Sequence, residues 1–199
     1  MVDEYSLKNK TKKRFNLKAT LLLVVAVLSF LAGIYLLFLT QAPKLTFLKR
    51  TQDISKITEN RIIVEKAAID EFIFDGGEEA LEKGAWHRFP DRGDPVNGGN
   101  FIVSAHRFVF DINPTSASEK SSFYNIEKIN KGDKIVIHWE GKKYDYKVSR
   151  KYEVKPTDVH IEDKTKEHIL TMYSCTLEGR YDGRIVIEAK PQFEVTNLK

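Results

Sequence analysis

The chain has 199 residues, enough for one domain plus an anchor, and its 42% hydrophobic and 30% charged residues suit a globular body with a wet surface. Its net charge of +4 sits entirely in residues 1–18, where Lys8, Lys10, Lys12, Lys13, Arg14 and Lys18 face only Asp3 and Glu4. The rest of the chain is therefore neutral, which argues against a nucleic-acid partner, since that needs a concentrated basic face.

After this basic tail (1–18), Ala19–Leu39 reads ATLLLVVAVLSFLAGIYLLFL without a single charge. At ~1.5 Å per residue such a helix spans about 31 Å, the thickness of a bilayer's hydrocarbon core. The segment is apolar on all sides, unlike an amphipathic core helix. It is longer than the apolar part of a cleaved signal peptide and lacks a small-x-small site at its end. It reads as one uncleaved transmembrane signal anchor over 19–39. Cations are denser before it than after it, which places the N-terminus in the cytoplasm and the body outside, in a single-pass topology across the lipid bilayer of the cell membrane.

Residues 40–60 are polar and irregular and read as a stalk. The body, 61–199, holds β-branched and aromatic runs at Arg61–Glu65, Phe101–Ser104, Lys134–Trp139, Lys143–Arg150, His168–Ser174 and Arg184–Lys190. Turn signals such as Asn97-Gly98-Gly99, Lys131-Gly132-Asp133, Glu140-Gly141 and Asp182-Gly183 separate them. Short helices are expected at Glu78–Lys83 and Glu119–Ile129. Many short strands with turn punctuation predict an all-β body, a closed and mostly antiparallel barrel or a sandwich.

The only cysteine, Cys175, ends the strand T-M-Y-S-C, so no internal disulfide can form. Alternation along a strand puts Thr171, Tyr173 and Cys175 on one face. A lone cysteine is usually a small buried core residue; a nucleophilic thiol needs a base or cation beside it. Of five histidines, His106 is the best placed for that part, because it ends the run G-G-N-F-I-V-S-A-H-R at a strand end after a small residue. His87 and His160 lie in loop-like stretches, and His138 and His168 within expected strands. Two arginines follow the cysteine. In a hairpin, a residue that opens the second strand returns beside one that ends the first. Arg184, opening R-I-V-I-E-A, meets this condition, whereas Arg180 falls at the tip of the turn and reads as a solvated surface residue. A guanidinium supplies fixed, permanently charged donors for a developing oxyanion.

These segments together resemble the sortase family. T-M-Y-S-C (Thr171–Cys175) and R-I-V-I-E-A (Arg184–Ala189) are similar to its cysteine and arginine motifs, and G-N-F-I-V-S-A-H-R (Gly99–Arg107) to its histidine motif. Ala80–Pro90 (ALEKGAWHRFP), Phe123–Asp133 (FYNIEKINKGD) and Val154–Asp158 (VKPTD) extend the likeness over residues 61–190. Ala105 stands where the family usually has Gly, Ser174 where it has Thr, and Glu65 where it often has Pro; no catalytic group is lost. The resemblance implies a sortase-like closed β-barrel with short helices after one transmembrane helix. It implies a cysteine transpeptidase with His106, Cys175 and Arg184 catalytic and with Ser174 and Ala105 as substrate contacts. The substrates would be proteins with an LPXTG-like C-terminal sorting signal, and the acceptor an amine of a peptidoglycan precursor or of a pilin. No cofactor and no metal is required; some sortases bind calcium (Ca2+) through acids near the loop that here carries Asp158, Glu162, Asp163 and Glu167, which otherwise read as a solvated charged loop. Two other classes remain open at this point. One is a membrane-tethered, non-catalytic β-domain that binds a surface partner. The other is a different cell-wall cysteine peptidase, although papain-like enzymes place Cys before His, at a helix start.

Overall fold

The computed structural model describes residues 17–50 and 59–192. The basic tail up to Asn16 and the stalk residues 51–58 therefore lie outside the described residues. The chain divides into two compact units, Met1–Phe38 and Leu39–Lys199. Helix α1 spans Leu17–Arg50, so part of the segment expected as an irregular stalk is helical. From Leu17 to Phe38 it is long and apolar enough to cross a membrane, and none of that stretch is buried. A helix that is apolar on all sides and uncovered by protein calls for an apolar solvent.

The body is a barrel of eight strands, with a short ninth at its rim. The strands are β1 (Arg61–Val64), β2 (Ile69–Phe74), β3 (Ala85–His87), β4 (Gly93–Asp94), β5 (Gly98–Ser104), β6 (Lys134–Trp139), β7 (Lys142–Val154), β8 (Ile169–Thr176) and β9 (Gly179–Pro191). They follow one another around the wall as β3-β2-β1-β6-β7-β9-β8-β5, and a further β3–β5 pairing closes the ring, while β4 hangs on β5. The pairings are antiparallel except β2–β3 and β5–β8, which are parallel. Closure leaves the wall without an unpaired edge.

The lumen is filled by the inward residues of each strand. Ile62 and Val64 meet Ile135, Ile137, Phe101, Val103, Leu170, Met172, Ile185 and Ile187 in one continuous core, with Phe123, Ile126 and Ile129 closing one end. A second cluster lies on the outer face: Ile102, Tyr173 and Val186, covered by Phe89, Tyr152, Val154 and Ile161. The wall around β8 is thus buried on both sides, which is why its sequence is a near-continuous apolar run rather than a clean alternation.

The six expected strands are all present. Three others, β2, β3 and β4, carry no expectation from the sequence. The helix expected over Glu119–Ile129 is corrected: α2 runs from Pro114 to Lys120, and a single 3₁₀ turn at Ile126–Lys128 follows. Asn113 caps α2 by accepting from the N–H groups of Thr115 and Ser116, and Pro114 fits its first turn, so the start signal lies upstream of the apolar residues. The expected helix at Glu78–Lys83 is a 3₁₀ turn over Glu78–Glu82.

Candidate active site

Three strands converge at one end of the outer face. On β8, Leu170 and Met172 point into the lumen and Tyr173 points outward, so alternation turns Cys175 outward too. Strand β5 runs parallel to β8 with Ser104 opposite Tyr173. His106 and Cys175 are each two residues beyond that pair, so the two chains leave the sheet side by side. Two bonds hold them together there. The Ala105 N–H donates to the Tyr173 carbonyl at 3.4 Å, and the buried Ser174 hydroxyl donates to the Ala105 carbonyl at 2.7 Å. Ser174 and Ala105 thus strap the two strand ends to each other while also lining the cleft.

Strand β9 brings the arginine. It pairs antiparallel with β8, with Arg184 directly opposite Cys175 and Ile185 opposite Ser174. Directly opposite residues in such a pair have Cβ atoms ~4.5–5.5 Å apart. The register is the one expected from the hairpin. The tip is not: it is Leu177-Glu178, with Gly179 at φ +107°, a backbone conformation that favours glycine. Arg180 to Gly183 form a bulge in β9 between the Thr176–Gly179 and Cys175–Arg184 pairs. The Thr176 hydroxyl anchors the bulge through Asp182 Oδ2 at 2.7 Å. Arg184 anchors it from the other side, as one guanidinium nitrogen donates to the Arg180 and Gly183 carbonyls, both at 2.9 Å. The Arg180 side chain is exposed, stacks over the Tyr181 ring at 4.7 Å and donates to its hydroxyl.

His106, Cys175 and Arg184 line a single cleft of about 630 Å³, together with Arg88, Arg180, Glu82 and the apolar Phe108, Phe110 and Leu177. Phe110 is 70% exposed and Leu177 64%, so the cleft rim offers uncovered apolar surface to a ligand. Cys175 is half-buried. A thiol, an imidazole and a guanidinium around one concave surface can attack a carbonyl carbon, move a proton and bind an oxyanion.

Sequence reasoning missed the groups that hold this site. The Glu82 carboxylate lies 3.2 Å from His106 Nε2 and 3.2 Å from Lys120 Nζ on α2. The Lys120 ammonium, and then His106, hold the Glu82 carboxyl below its ordinary value. On the cleft wall, the Tyr173 hydroxyl donates to Glu162, whose carboxylate also pairs with Arg88 at 2.9 Å. Burial first, and then the neighbouring Glu162 charge, push the Tyr173 hydroxyl up. The four acids of the 155–168 loop are thus dispersed: Glu162 is buried on Tyr173 and Arg88, Asp158 caps a 3₁₀ turn, Asp163 pairs with His160 and Glu167 with Lys190. Among the described residues, no three His, Cys, Asp or Glu side chains gather as they would around a metal ion.

Comparison with known proteins agrees with this fold. The family model described as "Sortase domain" matches residues 53–192, well over half of the chain. Several solved structures are similar. Sortase A of Listeria monocytogenes is 22% identical with a TM-score of 0.57, covering 69% of this chain and 89% of that one. A sortase D5 transpeptidase of Clostridium perfringens is 23% identical with a TM-score of 0.57, covering 75% and 89%. Sortase C1 of Streptococcus agalactiae is 23% identical with a TM-score of 0.57, covering 71% of each chain. No curated protein sequence matches the chain.

Proposed function

Because the chain belongs to the sortase family, we propose that it is a membrane-anchored cysteine transpeptidase acting on proteins with an LPXTG-like C-terminal sorting signal. The observation that carries this reading is the pairing of Cys175 with Arg184 across β8 and β9 at the point where β5 delivers His106.

Cys175 Sγ attacks the carbonyl carbon of the scissile peptide bond as its proton passes to His106, and the carbonyl oxygen takes up negative charge. Arg184 faces that oxygen: one of its nitrogens is committed to the bulge carbonyls, and its others make no hydrogen bond among the described residues. The C–N bond breaks, and the leaving amine takes a proton from the His106 imidazolium, which leaves a thioester on Cys175. An incoming amine attacks the thioester, gives its proton to His106 and expels the Cys175 thiolate. The acceptor belongs to a peptidoglycan precursor or a pilin; water in its place gives slow hydrolysis. No cofactor and no calcium enters this scheme. Helix α1 is the anchor, and the cations of the preceding tail place the N-terminus in the cytoplasm and the barrel outside.

The experiment uses the full chain. It should fractionate with membranes and resist alkaline carbonate. In detergent it should cleave an LPXTG-type peptide and join the product to an added amine. Cys175→Ala should abolish both steps, because no second thiol can form the acyl-enzyme, and His106→Ala should lose nearly as much. Full turnover by Cys175→Ala would defeat the reading.

A further inference from the structure

Glu82 is the one polar side chain that hydrogen-bonds His106 among the described residues. It sits at the end of the 3₁₀ turn between β2 and β3, far in sequence from both β5 and β8. Its two carboxylate oxygens are divided: Oε1 faces His106 Nε2 at 3.2 Å and Oε2 faces Lys120 Nζ at 3.2 Å. Lys120 holds the carboxyl ionised at neutral pH, so both oxygens can only accept.

That fixes the proton on the ring. A carboxylate that only accepts must receive its hydrogen bond from an N–H, so His106 Nε2 carries the proton. A neutral imidazole has one N–H, so its lone pair is then on Nδ1. The backbone of His106 is held independently, since its carbonyl accepts from the Phe123 N–H at 2.9 Å. What remains free is rotation of the side chain, and Glu82 sets it. The other charged groups on the cleft are engaged elsewhere. Arg107 is tied to Glu127 at 2.6 Å and to the Tyr124 carbonyl, Arg88 to Glu162, Arg180 to Tyr181 and Arg184 to the bulge. Glu78 and Cys175 also line the cleft, and neither hydrogen-bonds His106.

We infer that Glu82 is a positioning residue, which holds His106 as the Nε2–H tautomer and thereby assigns proton exchange with the leaving and entering amines to Nδ1. This rests on the transpeptidase reading for its catalytic consequence, but the tautomer itself does not. In the first step the imidazolium gives its Nδ1 proton to the leaving amine and becomes the neutral Nε2–H ring. In the second, Nδ1 takes the proton of the attacking amine and the imidazolium returns. The Nε2–H bond to Glu82 persists throughout, so the ring need not flip between steps. Lys120, reaching in from α2, keeps the carboxylate from turning toward solvent.

The test has two independent readouts on the full chain in detergent micelles. Long-range proton–nitrogen NMR of histidine-labelled protein, at a pH where the ring is neutral, reads the tautomer without any turnover. The wild type should show His106 as Nε2–H, and Glu82→Ala should show a mixture. Peptide turnover should fall about tenfold to a hundredfold in kcat with KM little changed, a fraction of what general acid–base catalysis contributes. Glu82→Gln, whose amide presents either an oxygen or an N–H to the ring, should fall between. Glu82 is exposed, so both variants should keep the wild-type Tm. A pure Nε2–H signal in Glu82→Ala, with kcat within about twofold of wild type, overturns the proposal. If instead Cys175→Ala turns over normally, the transpeptidase reading fails while the tautomer result stands.

Discussion

Arg184→Lys separates charge from geometry at the proposed oxyanion site. Two carbonyls, of Arg180 and Gly183, lie 2.9 Å from one guanidinium nitrogen of Arg184. The planar fork can satisfy both there and still direct its other N–H groups at the cleft. A lysine ammonium has three donors on a single nitrogen, and the same two carbonyls compete for them. The cation is kept, but at most one donor is left for the oxyanion, at the wrong distance. Removing one preorganised oxyanion donor costs about 10²–10³ in kcat, or ~2.7–4 kcal/mol of transition-state stabilisation. Arg184→Lys should therefore lose about 10² in kcat, and Arg184→Ala, which also frees the bulge, about 10³. KM should change little, because the interaction belongs to the transition state. The assay is steady-state peptide turnover by the full chain with an amine acceptor. Arg180→Ala is the comparison. Its guanidinium is spent on Tyr181, and only its backbone carbonyl touches Arg184, so it should be near wild type. Wild-type kcat in Arg184→Lys, or a crippled Arg180→Ala beside a normal Arg184→Ala, would refute the assignment.

The strap between the strand ends should be measurable as stability. Ser174→Ala removes the donor of a buried 2.7 Å bond and leaves the Ala105 carbonyl short of it, which should cost ~1–3 kcal/mol in urea unfolding, and kcat should fall as Cys175 and His106 lose their alignment. Unchanged unfolding would show that the strap carries nothing. Acid should weaken the fold in two stages. Burial foremost depresses His138 and His168, so their contribution is complete above 6.5 and is lost as pH falls through their lower folded values. Glu188, Asp145 and Asp133 are also depressed: burial opposes the shift, and hydrogen bonds from Arg150 to Glu188, from Lys134 to Asp145 and from the Asn130 N–H to Asp133 outweigh it. Their contribution is complete above 4.5 for Glu188 and 3.8 for the two aspartates, and is lost below. His160, raised by Asp163, acts in the opposite sense but is fully exposed. Thermal scans should show Tm declining from pH 7 to 5 and then more steeply; a flat Tm over that first interval would contradict the histidine part.

What the sequence exposes about this site follows from how local each constraint is. The Cys175–Arg184 pairing was legible because a hairpin is local: the end of one strand and the start of the next must meet, and the bulge at Arg180–Gly183 changes the path but not the pair. The six expected strands, β1 and β5 to β9, were legible for the same reason, through their own β-branched runs. Strand β2 was not, because its IDEFIF run places Asp70 and Glu71 at buried positions. Asp70 is paired there with Arg61 of β1, a tertiary partner that no periodicity reveals. Strands β3 and β4, with three and two residues, are too short to have a period. The approach of His106 to Cys175 depends on the parallel β5–β8 pairing, which joins segments 69 residues apart and has no local signature. Motif resemblance pointed to it; spacing alone could only rank the histidine. Glu82 lies at the far end of that scale. It is an exposed acid on a single 3₁₀ turn, indistinguishable in sequence from Glu78 or Glu79, and only barrel closure through β3 and β5 carries it to the imidazole. The groups proposed to react in this cleft are therefore set on strand ends, where the chain itself announces them. The group that orients the histidine is supplied by topology, and its substitution tests the closed barrel as directly as it tests the chemistry.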